Sequence, residues 1–187
     1  MTYLIKLGLN IATFWQSFSR KRLVLTEQFS IDQIDGKILD LLQQNSRLSN
    51  QEIANQVGSS VSSVWRRINA LEEAGVITAY GLTVSPEKMG YSETILLQVS
   101  LEQHNDDYLD EFTKLVQSIP EILECYATTG EYDYVMKVLA TDMRSYHRFL
   151  RNSLMSMPFI SKTFSQVVMD KIKFQKAIPT TSARMKK

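Results

Sequence analysis

Residues 49–75 read SNQEIANQVGSSVSSVWRRINALEEAG, and this stretch decides the fold of the first half of the chain. Ser49 and Glu52 form the S-x-x-E pattern of a capping box, and Gly58 is placed to end the helix that follows. A second helix is predicted after Ser60, because apolar residues recur there at helical spacing. These apolar residues are Val61, Val64, Ile68 and Leu71, and Gly75 stops the pattern.

A further helix is predicted upstream, ending at about Gln44, with an apolar stripe formed by Ile34, Ile38, Leu41 and Leu42. Its N-cap is open to two interpretations. Ser30 lies within a hydrophobic-staple pattern that starts at Phe29, and Asp32 is the rival cap. Three short helices joined by tight turns predict a helix-turn-helix. The β-prone residues 76–80 are expected to form a wing or a linker strand.

The apolar period changes after Ser85-Pro86 and Gly90, which mark a domain boundary. Ile95 to Leu101 alternates as a half-buried strand, and Leu109, Phe112 and Val116 follow at helical spacing. Two alternating segments around a turn at Gly130 come next, then a helix that Thr141 can cap, and a last strand at residues 160–170. The order β-α-β-β-α-β predicts an α+β chain whose second half is a ferredoxin-like domain.

The polar face of the last helix of the helix-turn-helix is suited to nucleic acid. With the apolar stripe buried, Ser62, Ser63, Arg66 and Arg67 face outwards. Small hydroxyl side chains allow close approach, and arginines bind guanine or phosphate. Ser60 lies at the start of this helix, while Ser49, Asn50 and Gln51 open the preceding one, where they can hydrogen-bond phosphates. A small helical bundle with a solvated arginine pair is the alternative.

Composition excludes several classes of protein. The 187 residues are 44% hydrophobic and 22% charged, which is ordinary for a globular chain. A single cysteine, Cys125, permits neither an internal disulfide nor a cysteine-based zinc site, and favours a cytoplasmic location. No apolar run has the roughly 18 residues of a membrane helix. His104 and His147 form no recognisable triad or metal set, so no catalytic residue, metal or cofactor is expected.

The net charge of +1 is unevenly distributed. Residues 31–90 carry five basic and seven acidic groups, and residues 91–170 carry six and twelve. Residues 171–187 carry six basic groups and none that is acidic, and residues 1–30 are also basic. Basic terminal segments often contact nucleic acid, but a solvated tail fits the pattern equally well.

Four segments of the first half resemble one family: residues 34–39 (IDGKIL), 45–50 (NSRLSN), 64–68 (VWRRI) and 71–77 (LEEAGVI). Three segments of the second half agree with it: 124–126 (ECY), 129–134 (TGEYDY) and 167–169 (VVM). The chain resembles the Lrp/AsnC transcription regulators over about residues 31–173. One departure is Ser59-Ser60-Val61, where the family usually has a Leu-Ser-Pro-like start to the recognition helix.

The resemblance implies a winged helix-turn-helix followed by a ferredoxin-like module that dimerises and often assembles further. It also implies a small effector, often an amino acid, bound near the loop after the second strand. That role falls on Thr129, Gly130, Glu131, Tyr132 and Asp133. Without the resemblance, Gly130 is most simply a hairpin glycine at positive φ, and Asp133 a residue that caps or pairs within the turn.

The expected organisation is an N-terminal extension at residues 1–30, a DNA-binding domain at 31–82, an effector and oligomerisation domain at 83–173 and a basic tail at 174–187. The extension is open to two interpretations, an amphipathic arm or a wrongly assigned translation start. The expected function is a regulator of transcription that binds double-stranded DNA as a homodimer or larger homo-oligomer. One alternative is an assembly or ligand-sensing module with weak or partner-dependent DNA binding. A remote one is an enzyme like the sirohaem decarboxylases.

Overall fold

A computed structural model describes residues 29–102 and 106–180. The N-terminal extension up to residue 28, His104 and the last seven residues lie outside the described part of the chain. The chain divides into two compact units. The second unit is Leu82–Phe174, and the first contains the chain up to Gly81 together with the segment that begins at Gln175.

Three helices build the described part of the first unit: α1 (Gln33–Gln44), α2 (Asn50–Val57) and α3 (Val61–Glu73). Asp32, rather than Ser30, caps α1, because its carboxylate accepts hydrogen bonds from Ile34 and Asp35 N–H at 2.8 Å each. The predicted capping box between Ser49 and Glu52 at the start of α2 is confirmed.

The core of this unit is the predicted apolar stripe of each helix. Its fully buried residues are Ile38, Ile53, Val64 and Leu71. Gly58 ends α2 at φ 69°, a left-handed conformation that favours glycine. The inward position predicted for Val61 is wrong: this residue lies in the first turn of α3 and remains 38% exposed.

The predicted strand at residues 76–80 is not formed. The N–H groups of Val76 and Ile77 both bond to the carbonyl of Leu71, which closes the C-terminus of α3. Ile77 packs against the core of α1, α2 and α3, the three helices that we call the headpiece. Residues 78–80 continue without regular structure. A strand needs a neighbour for its backbone groups, and none of the described strands pairs with this segment.

The second unit contains β1 (Glu93–Leu101), α4 (Asp106–Ser118), β2 (Ile122–Ala127), β3 (Tyr134–Ala140), α5 (Met143–Phe149) and β4 (Ile160–Val167). One π-helical turn, Leu150–Leu154, follows α5. The sheet order is β2-β3-β1-β4 and every pairing is antiparallel, which confirms the ferredoxin-like prediction.

One face of this sheet carries the core. Ile95, Leu97 and Val99 alternate along β1 and are fully buried, and Phe112 and Leu154 cover them from the helical layer. Period-2 alternation sends the intervening residues to the other face. No described helix is long and apolar enough to cross a membrane.

Three local predictions about this unit need correction. Asp142, not Thr141, is the N-cap of α5, since its carboxylate accepts the Ser145 N–H at 2.7 Å and a negative charge is favoured at a helix N-terminus. β4 ends at Val167 rather than residue 170, because its last bond, from Val168 N–H to Thr94 carbonyl, uses the end of β1. Gly130 does not have a positive φ.

Candidate DNA-binding surface and effector loop

The exposed face of α3 is defined by residues one turn apart. Ser62 and Arg66 are exposed, as predicted. Trp65 lies between them in the sequence and is 57% exposed. An exposed indole beside an arginine, on the solvent side of a helix, offers a flat apolar surface and a guanidinium together. The sequence signal for this exposure is the position of Trp65 outside the apolar stripe of α3.

Arg67 occupies a different environment from Arg66. Its Nη1 donates to Asp32 Oδ2 at 2.7 Å and to Asp35 Oδ1 at 2.6 Å. The side chain of Arg67 is 22% exposed and that of Asp35 only 8%. Both carboxylates belong to the start of α1, so this ion pair joins α1 to the middle of α3. The predicted outward position of Arg67 is therefore not what the structure shows.

The contacts of this ion pair shift the pKa values of Arg67 and Asp32. Hydrogen bonds to Asp35 and Asp32 raise the pKa of Arg67. For Asp32, partial burial is opposed by hydrogen bonds from Asp35 N–H and Arg67 and by the arginine charge, and the net result is a lowered pKa. The positive charge of Arg67 is therefore compensated by two carboxylates of the same unit.

The serines near the helix starts are mostly occupied by capping. Glu52 Oε2 accepts hydrogen bonds from the backbone N–H and the hydroxyl of Ser49, at 2.7 Å each, and these two bonds lower the pKa of Glu52. Ser60 Oγ accepts the N–H of Ser63 at 3.2 Å, and Ser62 Oγ lies 3.2 Å from it. Ser63 is half-buried, whereas Ser60 and Ser62 remain exposed and keep acceptor capacity for a further partner.

At the start of α2, Asn50 is half-buried and Gln51 is exposed, with its amide bonded to Asn55 at 3.0 Å. The turn to α3 is closed by a bond from Ser59 N–H to the carbonyl of Ala54. The polar residue at position 59 is thus accommodated by a backbone contact. The predicted DNA-facing residues of α2 and α3 therefore lie in one compact helix-turn-helix. Arg67 is the residue among them whose guanidinium is held inside it, by Asp32 and Asp35.

The loop between β2 and β3 contains the five predicted effector residues. Asp133 is built into the sheet end: its Oδ2 accepts the Leu101 N–H at 2.8 Å, and its N–H bonds to the Val99 carbonyl. Thr128 hydroxyl donates to the carbonyl of Tyr132 at 2.8 Å. Asp133 thus fixes the loop against β1, which agrees with the pairing role considered above.

The remaining loop residues are more accessible. Thr129, Gly130 and Glu131 are exposed. Lys162 of β4 donates to Glu131 Oε1 at 2.7 Å and lies 4.7 Å from the ring centre of Tyr132. Tyr132 also stacks on Phe164, with ring centroids 6.1 Å apart. The loop therefore presents one carboxylate, one ammonium and an aromatic surface within a small area.

A cleft of about 590 Å³ lies at the opposite end of the sheet from this loop. It is lined by residues between α4 and β2, the end of β3 and α5, including Glu121, Tyr146 and Arg148. None of the five predicted effector residues lines it.

The face of the sheet away from the helices combines apolar and polar residues. Tyr126, Val135, Gln98 and Phe164 are paired in register across all four strands. Tyr126 is 57% exposed and Phe164 46% exposed, and Leu96, 39% exposed, adds to the apolar surface of this face. We call the face that these residues define the open sheet face.

A helix-turn-helix with an exposed arginine on its last helix, joined to a ferredoxin-like domain, defines a DNA-binding regulator. Known proteins support this class. Residues 31–78 match the model of winged helix-turn-helix DNA-binding domains, and residues 94–178 match that of the Lrp/AsnC ligand binding domain. The chain belongs to the Lrp/AsnC family of transcriptional regulators.

Individual relatives agree over most of their length. The DNA-binding transcriptional activator DecR of Escherichia coli is 33% identical over 149 residues, which are 80% of this chain and 98% of DecR. The leucine-responsive regulatory protein of Haemophilus influenzae is 33% identical over 77% of this chain and 87% of its own. The solved transcriptional regulator NMB0573 of Neisseria meningitidis, a complex with L-Met, has a TM-score of 0.77 at 34% identity, covering 80% and 97% of the two chains.

The family consists of transcriptional regulators and not of enzymes. The alternative of a sirohaem decarboxylase-like enzyme is therefore not supported.

Proposed function

We propose that this regulator reads DNA through the exposed face of α3, with Arg66 as the principal base or phosphate contact. The observation that carries the proposal is the contrast between two adjacent arginines: Arg66 is exposed, and Arg67 is bound to two carboxylates. Arg67 then supports α3 against α1 and leaves the groove to Arg66. Trp65 supplies an apolar surface of the kind that contacts thymine methyl groups.

Shorter polar side chains complete the proposed surface. Ser60, Ser62 and Ser63 line the start of α3, and Ser49, Asn50 and Gln51 lie at the start of α2, where N–H groups and hydroxyls suit phosphate oxygens. A helix-turn-helix inserts the N-terminal residues of its recognition helix into the major groove. The acidic residues Glu72 and Glu73, at the far end of α3, then lie away from the bases.

The proposed assembly is a homodimer formed through the open sheet face, with larger homo-oligomers built from dimers. One face of the sheet is covered by helices, but the other exposes Leu96, Tyr126 and Phe164. An exposed apolar patch of this kind marks a protein interface. A symmetric dimer would carry two headpieces and read a roughly palindromic site.

The proposed effector is an amino acid, bound with the help of residues 129–133 in a dimer or larger assembly. The relative from Neisseria meningitidis, solved with L-Met, supports this class of ligand. Glu131 and Lys162 offer groups that match an ammonium and a carboxylate. An effector that binds one assembly state better than another shifts their populations, and this is how it would regulate DNA binding. The proposed location is the cytoplasm.

Sequencing of genomic DNA captured by the purified protein, with and without a pool of amino acids, tests the function. We expect a few enriched palindromic sites, with enrichment that depends on the pool. Uniform or absent enrichment would favour the alternative of an assembly module with weak or partner-dependent DNA binding.

Thermal shifts with single amino acids test the effector loop. A ligand at 100 times its dissociation constant stabilises a protein by about 2.7 kcal/mol. We expect at least one amino acid to raise the melting temperature of the wild type but not of Glu131→Ala. The matched control is Glu111→Ala, which removes an exposed carboxylate from α4. If every amino acid leaves the wild type unchanged, the effector proposal is refuted.

Sedimentation tests the dimer. Phe164→Asp places a charge in the open sheet face and is expected to give a monomer. Met155→Asp, at a residue 62% exposed on the helical side, is the control and is expected to retain the wild-type mass. A Phe164→Asp protein with the wild-type assembly would contradict the proposed interface.

A further inference from the structure

One cleft of the second unit belongs to neither of the surfaces discussed so far. It has a volume of about 590 Å³ and lies between the end of α4, the start of β2, the end of β3 and α5. Clefts that hold small molecules in proteins have volumes of about 300 to 1,000 Å³. Every residue that lines this cleft lies within Leu82–Phe174, so one compact unit forms it completely.

Apolar and aromatic side chains form much of the cleft wall. Tyr146 is buried, whereas Tyr91 and Phe149 are half-buried. The rings of Tyr146 and Phe149 have centroids 6.0 Å apart. Ile119 and Pro120 line the cleft from the turn that precedes β2. Aromatic rings offer large contact areas to other apolar and aromatic groups. The wall therefore suits a ligand with large apolar side chains.

Two opposite charges line the same cleft without neutralising each other. Glu121 contributes a carboxylate and Arg148 a guanidinium, and neither side chain forms a hydrogen bond or an ion pair within the described part of the chain. Carboxylates accept hydrogen bonds from ammonium groups, and arginine donates to carboxylates. A zwitterion can therefore bridge the two residues, whereas a polyanion would be repelled by Glu121.

Neutral polar groups complete the lining of the cleft. The amide of Asn152 and the hydroxyl of Ser153 also have no side-chain hydrogen bond among the described residues. Together they offer donors and acceptors for a peptide group, which a free amino acid does not contain. A free amino acid is also much smaller than the drug-sized ligands that clefts of this volume bind. The lining therefore matches a dipeptide better than a free amino acid.

The backbone fixes the positions of these polar groups. The carbonyl of Glu121 accepts the N–H of Leu139 at 2.9 Å, which joins the start of β2 to the end of β3. Arg148 lies in the last turn of α5, and Asn152 lies in the π-helical turn that follows. A 2.9 Å bond from Met155 N–H to the carbonyl five residues earlier closes this turn. π-helical turns are rare and are frequently found at functional sites.

We propose that this cleft is a second small-molecule site and that its ligand is a dipeptide with apolar side chains. Arg148 binds the carboxylate of the dipeptide, and Glu121 binds its ammonium group. Asn152 and Ser153 bond to its peptide group, and the aromatic wall holds its side chains. None of residues 129–133 lines the cleft. The inference is therefore independent of the amino-acid effector and of DNA binding.

Isothermal titration calorimetry of the full chain with L-leucyl-L-phenylalanine tests the proposal. We expect this probe to bind at least tenfold more tightly than L-leucine or L-phenylalanine, because a free amino acid reaches fewer of the polar groups. The same dipeptide with an acetylated N-terminus and an amidated C-terminus keeps both side chains and loses both charges. We expect it to bind about 100-fold more weakly, since each lost ionic hydrogen bond weakens binding by about tenfold or more.

Single substitutions test the two charged contacts. Arg148→Gln and Glu121→Gln are each expected to weaken binding of the unmodified dipeptide by about tenfold. Arg148→Gln should also bind the dipeptide and its C-terminal amide equally well, because the group that distinguishes them has lost its partner. The matched controls are Arg144→Gln, on the same helix, and Glu111→Gln, on α4. They remove exposed charges outside the cleft and are expected to keep the wild-type affinity.

A bulky substitution tests the location of the ligand. Asn152→Trp fills the cleft from an exposed position and is expected to abolish binding, whereas Arg151→Trp, at the adjacent exposed position outside the cleft, is its control. Glu131→Ala, in the loop after β2, is expected to keep the wild-type affinity for the dipeptide.

Four results would overturn the inference. They are wild-type protein that binds no dipeptide, free amino acids that bind as tightly as the dipeptide, Arg148→Gln or Asn152→Trp protein that binds as tightly as its control, and binding that Glu131→Ala abolishes.

Discussion

Truncation of Arg67 and truncation of Arg66 are expected to affect different properties, stability and DNA binding respectively, although the two residues are adjacent. Arg67→Ala removes the partner of Asp32 and Asp35 and leaves a carboxylate, 8% exposed, without its cation. This change is expected to destabilise the headpiece. Arg66→Ala removes an exposed side chain that has no described protein contact to lose, and is expected to weaken DNA binding only.

The magnitude for Arg67→Ala follows from the burial of the ion pair. Breaking a fully buried pair by removing one partner costs about 3 to 5 kcal/mol, whereas an exposed pair contributes about 0 to 1. The Asp35 side chain is buried, but that of Asp32 is 50% exposed. Both bonds use the same nitrogen, and the buried Nε of Arg67 has no hydrogen-bond partner within the described residues. These features place the loss at about 2 kcal/mol.

Hydrogen exchange of the amides in α1 and α3 measures this loss within the headpiece, without interference from the second unit. A loss of about 2 kcal/mol accelerates exchange through global opening by about 30-fold. Arg66→Ala is the control, and its exchange is expected to stay within about twofold of wild type. Asp35→Asn combined with Arg67→Ala should cost less than the sum of the two single changes, because the residues are in contact.

DNA affinity completes the comparison. Loss of one well-placed arginine contact costs about 1 to 3 kcal/mol, so Arg66→Ala is expected to weaken specific binding by about 5- to 150-fold. Arg67→Ala is expected to bind normally at temperatures where its headpiece is folded. If Arg67→Ala leaves exchange unchanged and loses as much affinity as Arg66→Ala, then Arg67 leaves its carboxylates to reach DNA, and our assignment is wrong.

Three further changes test the local physics of the two units. Gly58→Ala should lower the free energy of unfolding in a denaturant titration by about 1 to 2 kcal/mol, because the φ of Gly58 is 69°. Gly81→Ala is the control and should cost little, because Gly81 has no positive φ and an added Cβ meets nothing within 4 Å at either site. Burial raises the pKa of Cys125 to about 11, so its alkylation by iodoacetamide at pH 9 should be about 50-fold slower in native than in unfolded protein, and equal rates would contradict the raised pKa. Because the unfolded state releases the thiol proton at a lower pH than the native state, native stability should fall as pH rises above 9. Tyr146→Phe removes a 2.6 Å hydrogen bond to Ser165 and should lower the unfolding free energy of the second unit by about 1 kcal/mol; an unchanged value would show that solvent replaces the bond fully.

Much of the fold was predictable because its signals are local. Capping boxes, helix-stopping glycines and alternating apolar residues act over a few positions, and the helices and strands formed where these patterns lie. Predictions failed where a distant partner decides the outcome. Residues 76–80 have high β-propensity, but no described strand lies beside them to pair with their backbone groups.

The candidate site shows the same division. The spacing of α3 correctly separated its buried stripe from Ser62 and Arg66, since helical periodicity fixes the angle of each side chain around the axis. The same periodicity could not show that Asp32 and Asp35 lie within reach of Arg67, 35 and 32 positions away.

The sequence by itself determined the family, the two domains and the order of their elements, because short-range patterns specify each of them. Only the tertiary structure decided which arginine of α3 is exposed and which is paired with carboxylates, how Asp133 binds β1, and where residues 175–180 lie. Gln43 is hydrogen-bonded to Ile178, 135 positions away, and Asp40 to Thr180, 140 positions away. Hydrogen bonds and ion pairs at such separations carry no periodic signal, since they depend on the positions of whole elements in space.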